Sequence, residues 1–211
     1  MIKMNITLAL SGGGVKGFAH IGVLRALEWE GFHIRGVAGT SAGGLVGVLY
    51  ALGYTSDDME KRLKDIDQGN LFSRMSGDGP ALLGVAGLTA ILHELIGART
   101  FTDLRLPLAL TATDLTSGLP VVIREGRLMD AVLATSAVPG VFPARPVGGH
   151  LLVDGGILNP IPVEVARSIN PSSPVVAVLL SPPLGWQKDV TNGSSGNIPH
   201  LFANLPLVYR L

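Results

Sequence analysis

Three short motifs contain residues that could perform chemistry, and the first of them is centred on Ser41. The segment Gly39–Gly43, GTSAG, fits the pattern G-x-S-x-G and stands between a strand-like and a helix-like apolar run. On a tight strand-to-helix turn a serine hydroxyl projects clear of the backbone, and small neighbours such as Ala42 let the two elements approach closely. The following helix would also direct free N–H groups at an oxyanion. The motif favours a nucleophilic serine, with simple N-capping of the helix as the alternative.

A glycine-rich segment, Gly12–Gly17, follows the apolar run 6–10 and precedes a helix-like segment. Its successive glycines leave backbone N–H groups uncovered, which suits the binding of an anion. Turns that follow neighbouring parallel strands meet at the same edge of a sheet, so this turn is expected beside Ser41. The segment therefore predicts an oxyanion hole, with a tight turn alone as the alternative. The expected donors are the N–H groups of Gly12, Gly13 and Gly14.

The same glycines satisfy the letters G-x-G-x-x-G, so dinucleotide binding is a competing interpretation. That fold requires an Asp or Glu at the end of the second strand, about 20 residues on, to hold the ribose. Here Ser41 takes the place of that carboxylate, two residues after the predicted strand 34–39. A Walker phosphate loop is excluded as well, because no Lys-Ser or Lys-Thr pair follows the glycines.

The third motif is Asp154–Gly156, which follows the apolar run 151–153. A carboxylate at the carboxyl end of a strand lies on the ligand side of a parallel sheet. The two glycines would let another segment or a substrate close over it. Because Asp-Gly is also a common hairpin turn, the interpretation of Asp154 as a base depends on the other two motifs.

The elements that must position these motifs alternate between strand-like and helix-like patterns along the chain. Such alternation predicts a single α/β domain over residues 1–211, with a mainly parallel central sheet flanked by helices on both faces. The predicted strands are 6–10, 34–39, 106–112, 120–124, 151–154 and 175–180. The predicted helices are 16–30, 42–52, 55–67, 127–135 and 163–169.

Two parts of the chain fit this plan poorly. Residues 71–80 are loop-like and residues 81–98 are apolar, so 71–98 is a candidate lid segment. The apolar part approaches the roughly 20 residues needed to span a bilayer. However, His93, Glu94 and several glycines interrupt it, which favours a buried or lid helix over a flap that touches a membrane. The tail 186–211 is left unassigned.

Composition excludes several classes of function. Lys plus Arg and Asp plus Glu number 16 each, so the net charge is zero and a nucleic-acid partner is not expected. Any peripheral membrane contact should be mainly apolar. The absence of Cys excludes disulfides, thiolate zinc sites and Cys nucleophiles. The N-terminal apolar run is shorter than a secretory signal, so a cytoplasmic location is expected.

In this order the three motifs resemble those of the patatin-like phospholipases, in particular the bacterial members. That family's pattern is G-G-G-x-[KR]-G, then G-x-S-x-G, then D-G-[GA]. Here the corresponding segments are Gly12–Gly17, Gly39–Gly43 and Asp154–Gly156.

Two lesser features of that family also match. Ala134–Pro143 is similar to its A-S-x-x-x-P-x-x-F-P segment, with Thr135 inserted before the serine. Asn159-Pro160 follows the third motif at the familiar distance, and the resemblance covers about residues 6–181.

The resemblance implies a three-layer α/β fold and hydrolysis of a lipid or ester substrate without a metal or other cofactor. It implies a Ser–Asp dyad in which Ser41 is the nucleophile and Asp154 the base, with N–H groups around Gly12–Gly14 as the oxyanion hole. The other motif residues would shape the three turns: Lys16, Gly17, Gly39, Ala42, Gly43, Gly155 and Gly156.

Two alternatives stay open. Ser41, Asp154 and His200 occur in the chain order of an α/β-hydrolase triad, although His200 lies in a loop-like tail. Of the other histidines, His20 lies inside the first predicted helix and His33 precedes the second predicted strand, whereas His93 and His150 have no partner motif. A non-catalytic lipid-binding or regulatory protein could use the same scaffold, since fold alone does not decide function.

Overall fold

A mixed β-sheet occupies the centre of the computed structural model, which describes residues 4–64, 73 and 81–180. All of them belong to one compact unit, Met1–Ser181. The tail 186–211, with His200, and nearly all of 71–80 lie outside the described residues. A single domain over 1–211 therefore stays a prediction.

The described residues form seven strands and six α-helices. The strands are β1 (Met4–Leu10), β2 (Phe32–Thr40), β3 (Leu108–Asp114), β4 (Pro120–Ile123), β5 (Arg145–Val147), β6 (His150–Asp154) and β7 (Val175–Val178). The helices are α1 (Ala19–Trp29), α2 (Ala42–Leu52), α3 (Ser56–Lys64), α4 (Ala86–Leu95), α5 (Leu128–Thr135) and α6 (Val163–Ile169). Short 3-10 turns cover Gly14–Phe18, Phe101–Asp103 and Gly155–Ile157.

The strand order is β5-β6-β3-β2-β1-β7, and β4 also pairs with β3. Strands β7, β1, β2 and β3 run parallel, whereas β4, β5 and β6 add antiparallel pairs on the β3 side. The prediction of an α/β fold with a mostly parallel sheet is confirmed. The strand β5 was not predicted, because it has only three residues and one of them is Pro146.

Helices cover both faces of the sheet, as expected for buried parallel strands. On one face, alternate β1 residues Ile6, Leu8 and Leu10 join the larger hydrophobic cluster, which includes side chains of α1, α2, α4 and α5. On the other face, Ala9 and Ala38 pack against α6. The small side chains on that face let α6 lie close to the strands.

The ends of two strands meet on β3, and this meeting creates the candidate site. The parallel strand β2 ends at Thr40, which pairs with Thr111. The antiparallel strand β6 ends at Asp154, which pairs with Ala112, the next residue of β3. Because β2 and β6 approach from opposite directions, their carboxyl ends converge, and the residues there are brought together.

For the first helix and for the apolar segment 81–98, the structure changes the bounds of the predicted elements but keeps their type. The helix predicted from residue 16 begins with the 3-10 turn and becomes α-helical at Ala19. Within the apolar segment 81–98, α4 has 10 residues and buries Leu92 and Leu95, which agrees with a buried helix. In the described part of the chain, every helix is too short or too polar to cross a bilayer.

Candidate active site

Ser41 occupies a strained turn between β2 and α2. Its backbone angles are φ 52° and ψ −121°, and among the described residues it is the only non-glycine with positive φ. Such a conformation costs roughly 1–3 kcal/mol and persists only where the surroundings enforce it. The strain points to a functional constraint on this serine, since an ordinary N-cap residue has extended backbone angles.

The glycines that flank Ser41 are required by close backbone packing. A Cβ on Gly39 would lie 2.6 Å from the Gly43 carbonyl oxygen. A Cβ on Gly43 would lie 2.6 Å from the Ser11 carbonyl oxygen. A Cβ on Gly17 would lie 2.5 Å from the Ala42 Cβ. The G-x-S-x-G segment and the glycine loop therefore pack directly on each other.

The Asp154 carboxylate lies at the Ser41 side chain and is shielded from solvent. Asp154 is 6% exposed, and its Oδ1 accepts the Gly156 N–H at 2.7 Å. Burial raises the pKa of Asp154, although the Gly156 N–H and a hydrogen bond from the Ser41 side chain act in the opposite direction. A carboxylate of raised pKa is a stronger base than an exposed one.

Gly155 and Gly156 let the chain turn sharply after Asp154. A Cβ on Gly155 would lie 2.5 Å from the Thr111 hydroxyl, so this turn packs against β3. A Cβ on Gly156 would lie 3.0 Å from Asp154 Oδ1, the atom that its own N–H binds. Because neither glycine has a side chain, the turn can pack against β3 and the Gly156 N–H can reach the Asp154 carboxylate.

The glycine loop lies over Ser41, but its three expected donors differ. The Gly12 N–H donates to the Pro160 carbonyl at 3.0 Å, so it is not free for a substrate. The N–H groups of Gly13 and Gly14 have no hydrogen-bond partner among the described residues. A Cβ on Gly12 would lie only 3.5 Å from Ser41 Cβ. Of the three expected donors, the Gly12 N–H is thus occupied within the protein, whereas those of Gly13 and Gly14 are unoccupied among the described residues.

Two buried polar side chains hold this loop. The Ser11 hydroxyl donates to the Gly12 carbonyl at 2.9 Å and accepts the Leu180 N–H at 3.1 Å. His20 Nε2 lies 2.8 Å from the Ser11 carbonyl and must donate to it, because a carbonyl oxygen only accepts. Burial lowers the pKa of His20, which favours the neutral ring. His20 thus supports the loop.

The side chain of Lys16 is exposed to solvent, and its backbone N–H donates to the Gly13 carbonyl at 3.1 Å.

The other described histidines do not complete a triad. His33 and His93 are exposed. His150, which had no partner motif in the sequence, has its Nδ1 3.2 Å from Asp114 Oδ2. With Ser117 and the Thr116 N–H, this contact lowers the pKa of Asp114 to about 2.

The sequence analysis assigned no role to three threonines that lie beneath the site. The Thr135 hydroxyl accepts the Ser41 N–H at 2.9 Å and donates to the Thr111 carbonyl at 2.6 Å. The Thr40 hydroxyl donates to the Asn159 carbonyl at 2.9 Å and lies 2.6 Å from the Thr111 hydroxyl. A signal existed for Thr135, because the A-S-x-x-x-P pattern needs no inserted residue if Thr135 itself takes the place of the serine.

The sheet, the strained serine and the glycine loop define an α/β protein built around a strand–serine–helix turn, the arrangement used by many serine hydrolases. The family model described as patatin-like phospholipase matches residues 8–167. The chain therefore belongs to the patatin-like phospholipase family.

Individual relatives extend this comparison. The uncharacterized NTE family protein Rv1063c of Mycobacterium tuberculosis is 33% identical over 186 residues, which cover 87% of this chain and 51% of that protein. Human patatin-like phospholipase domain-containing protein 6 is 33% identical over 184 residues, covering 82% of this chain and 13% of that protein. The chain thus spans about half the length of the first relative and less of the second. The solved structure of VipD from Legionella pneumophila aligns with 74% of this chain and 46% of its own, at 14% identity and a TM-score of 0.45.

Proposed function

We propose that this chain is a serine acyl hydrolase that cleaves the ester bond of a lipid with a Ser41–Asp154 dyad. The observation that carries the proposal is the strained Ser41 with its side chain at a buried carboxylate. Membership of the patatin-like phospholipase family supports a lipid as the substrate. The proposed reaction uses no metal or other cofactor.

The reaction would begin with attack of the Ser41 oxygen on the ester carbonyl carbon while Asp154 accepts the hydroxyl proton. The raised pKa of Asp154 improves its match to this task. The carbonyl oxygen would become an oxyanion held by the N–H groups of Gly13 and Gly14, and each such donor contributes about 3 kcal/mol in comparable sites. Collapse of the intermediate returns the proton to the leaving alcohol. Water then attacks the acyl-enzyme, with Asp154 again accepting the proton.

Apolar side chains on the two turns that flank Ser41 suit an acyl chain. Val15, on the glycine loop, is 67% exposed, and Ile157 and Leu158, after Gly156, are 50% and 48% exposed. Exposed apolar side chains next to a reactive group favour an apolar ligand or a lipid surface over a charged substrate. Peripheral contact with a membrane is part of the proposal.

The test measures hydrolysis of p-nitrophenyl esters of increasing chain length and of intact phospholipids. Ser41→Ala and Asp154→Asn should each abolish turnover while the protein stays folded. Asp114→Asn is a matched control, because Asp114 is also a buried carboxylate at a strand end but binds His150. Ser56→Ala is the corresponding control for a buried hydroxyl that has no partner among the described residues.

A fluorophosphonate should label wild type and both controls, but not Ser41→Ala. Folded wild-type protein that binds lipid without turnover or labelling would overturn the proposal in favour of a non-catalytic lipid-binding protein. Turnover by Ser41→Ala would show that the nucleophile is another residue.

A further inference from the structure

We infer that Thr135 is a positioning residue that holds Ser41 in its reactive geometry, an inference that rests on the function proposed above. Thr135 is fully buried at the end of α5 and comes from a segment 94 residues away from Ser41 in sequence. Its hydroxyl makes two hydrogen bonds, from the Ser41 N–H and to the Thr111 carbonyl. The single hydroxyl therefore connects the serine turn to β3.

The strained backbone of Ser41 needs such a connection. A non-glycine residue with positive φ returns to a relaxed backbone conformation unless the surrounding structure holds it. The N–H of Ser41 is fixed by Thr135 rather than by a helix carbonyl. Without this acceptor, the partly buried N–H would lose its protein partner, and the turn would be free to change its φ and ψ. Since those angles aim the Ser41 hydroxyl, its position relative to Asp154 would change as well.

Thr111 extends the same support toward Asp154. Its carbonyl accepts from Thr135, and its hydroxyl contacts that of Thr40, which donates to Asn159, five residues after Asp154. Because the Thr40 proton goes to the Asn159 carbonyl, the Thr111 hydroxyl must donate to Thr40. Hydrogen bonds of fixed direction thus join the chain before Ser41, the Thr135 anchor and the loop after Asp154. The nucleophile and the base are held by one buried network.

The side-chain shape of Thr135 allows a clean substitution. A Cβ on Gly44 would lie 2.9 Å from the Thr135 Cγ2 methyl, so the methyl group already fills the space beside α2. Thr135→Val keeps that volume and removes only the hydroxyl. Thr135→Ser keeps the hydroxyl and loses the methyl. Thr7→Val is the matched control, since Thr7 is fully buried in β1 and its hydroxyl has no partner among the described residues.

The experiment measures kcat and KM on a soluble ester, with the concentration of active enzyme determined by fluorophosphonate titration. In Thr135→Val, kcat should fall by roughly 100-fold per labelled site, the scale expected for misplacement of a reacting group by about 1 Å. KM should change little, because the lost interaction acts on the transition state. Thr135→Ser should restore most of kcat, and Thr7→Val should match wild type.

A purely structural role for Thr135 would lower the fraction of active enzyme and leave kcat per labelled site unchanged, which would overturn the inference. Failure of Thr135→Ser to recover activity would do the same. If wild type itself turns over no ester, the proposed function fails separately. The positioning role is then decided by a crystal structure of Thr135→Val, where a Ser41 φ that remains positive would contradict it.

Discussion

Replacing Ser41 with glycine should give a more stable protein than replacing it with alanine, because only glycine relieves the backbone strain at this position. Both replacements should abolish activity. Ser41→Ala is the reference, since both variants lack the hydroxyl and only glycine removes the Cβ. The strain at φ 52° is worth about 2 kcal/mol. Glycine costs about 0.7 kcal/mol through its greater freedom in the unfolded chain. Ser41→Gly should therefore be more stable than Ser41→Ala by about 1 kcal/mol.

The assay is thermal or urea unfolding of the two variants side by side. In a protein of this size, 1 kcal/mol corresponds to roughly 3 °C in Tm. Ser172 provides the control pair, because it lies in an exposed turn and has no positive φ. There, Ser172→Gly should be no more stable than Ser172→Ala. If Ser41→Gly is instead less stable than Ser41→Ala by the ordinary cost of glycine, the turn is not strained and the argument for an enforced serine geometry fails.

Four further predictions concern titration and the histidine alternative. Since burial raises the pKa of Asp154, kcat/KM should increase with pH through a midpoint above 3.8. The rate at which a fluorophosphonate labels Ser41 should follow the same curve. A midpoint below 3.8 would contradict the effect of burial. The same shift means that the native state retains the Asp154 proton longer than the unfolded chain, so Asp154→Asn should raise stability at neutral pH, as measured by Tm. The pKa of Asp114, lowered to about 2 by His150, should contribute stability above pH 3.8 that is lost as pH falls toward 2, and Asp114→Asn should remove this loss from an acid-unfolding curve. His200→Ala should keep most esterase activity; its loss at unchanged Tm would favour the triad.

Local patterns predicted most of the secondary structure. The helices α2 and α6 begin and end where the sequence analysis placed them, at Ala42–Leu52 and Val163–Ile169. In α2 a nearly continuous apolar run is closed by Gly53, whose φ of 94° ends the helix. The helix α3 begins after Thr55 as expected, with reciprocal bonds between Thr55 and Asp58. These features depend on neighbours within a few residues, so the sequence contains the information.

The direction of the strands could not be predicted in the same way. An apolar run has the same composition whether it lies parallel or antiparallel to its neighbour. Only the tertiary structure shows that β6 is antiparallel to β3 and ends opposite Ala112, beside the end of β2. The sequence analysis placed Asp154 at the rim of the site as the carboxyl end of a parallel strand, and that premise was wrong. Asp154 reaches the site because β6 is antiparallel and ends opposite Ala112, one residue along β3 from the partner of Thr40.

The sequence by itself determined the local chemistry of the site: a serine on a turn of small residues, a glycine loop and a carboxylate before two glycines. These depend on steric rules that act within a few residues of the chain. The tertiary structure decided which groups are free and which are held. Pro160 takes the N–H of Gly12, and Thr135 takes that of Ser41. Hydrogen bonds between segments far apart in sequence leave no local pattern, because their partners are chosen by how the strands and helices pack.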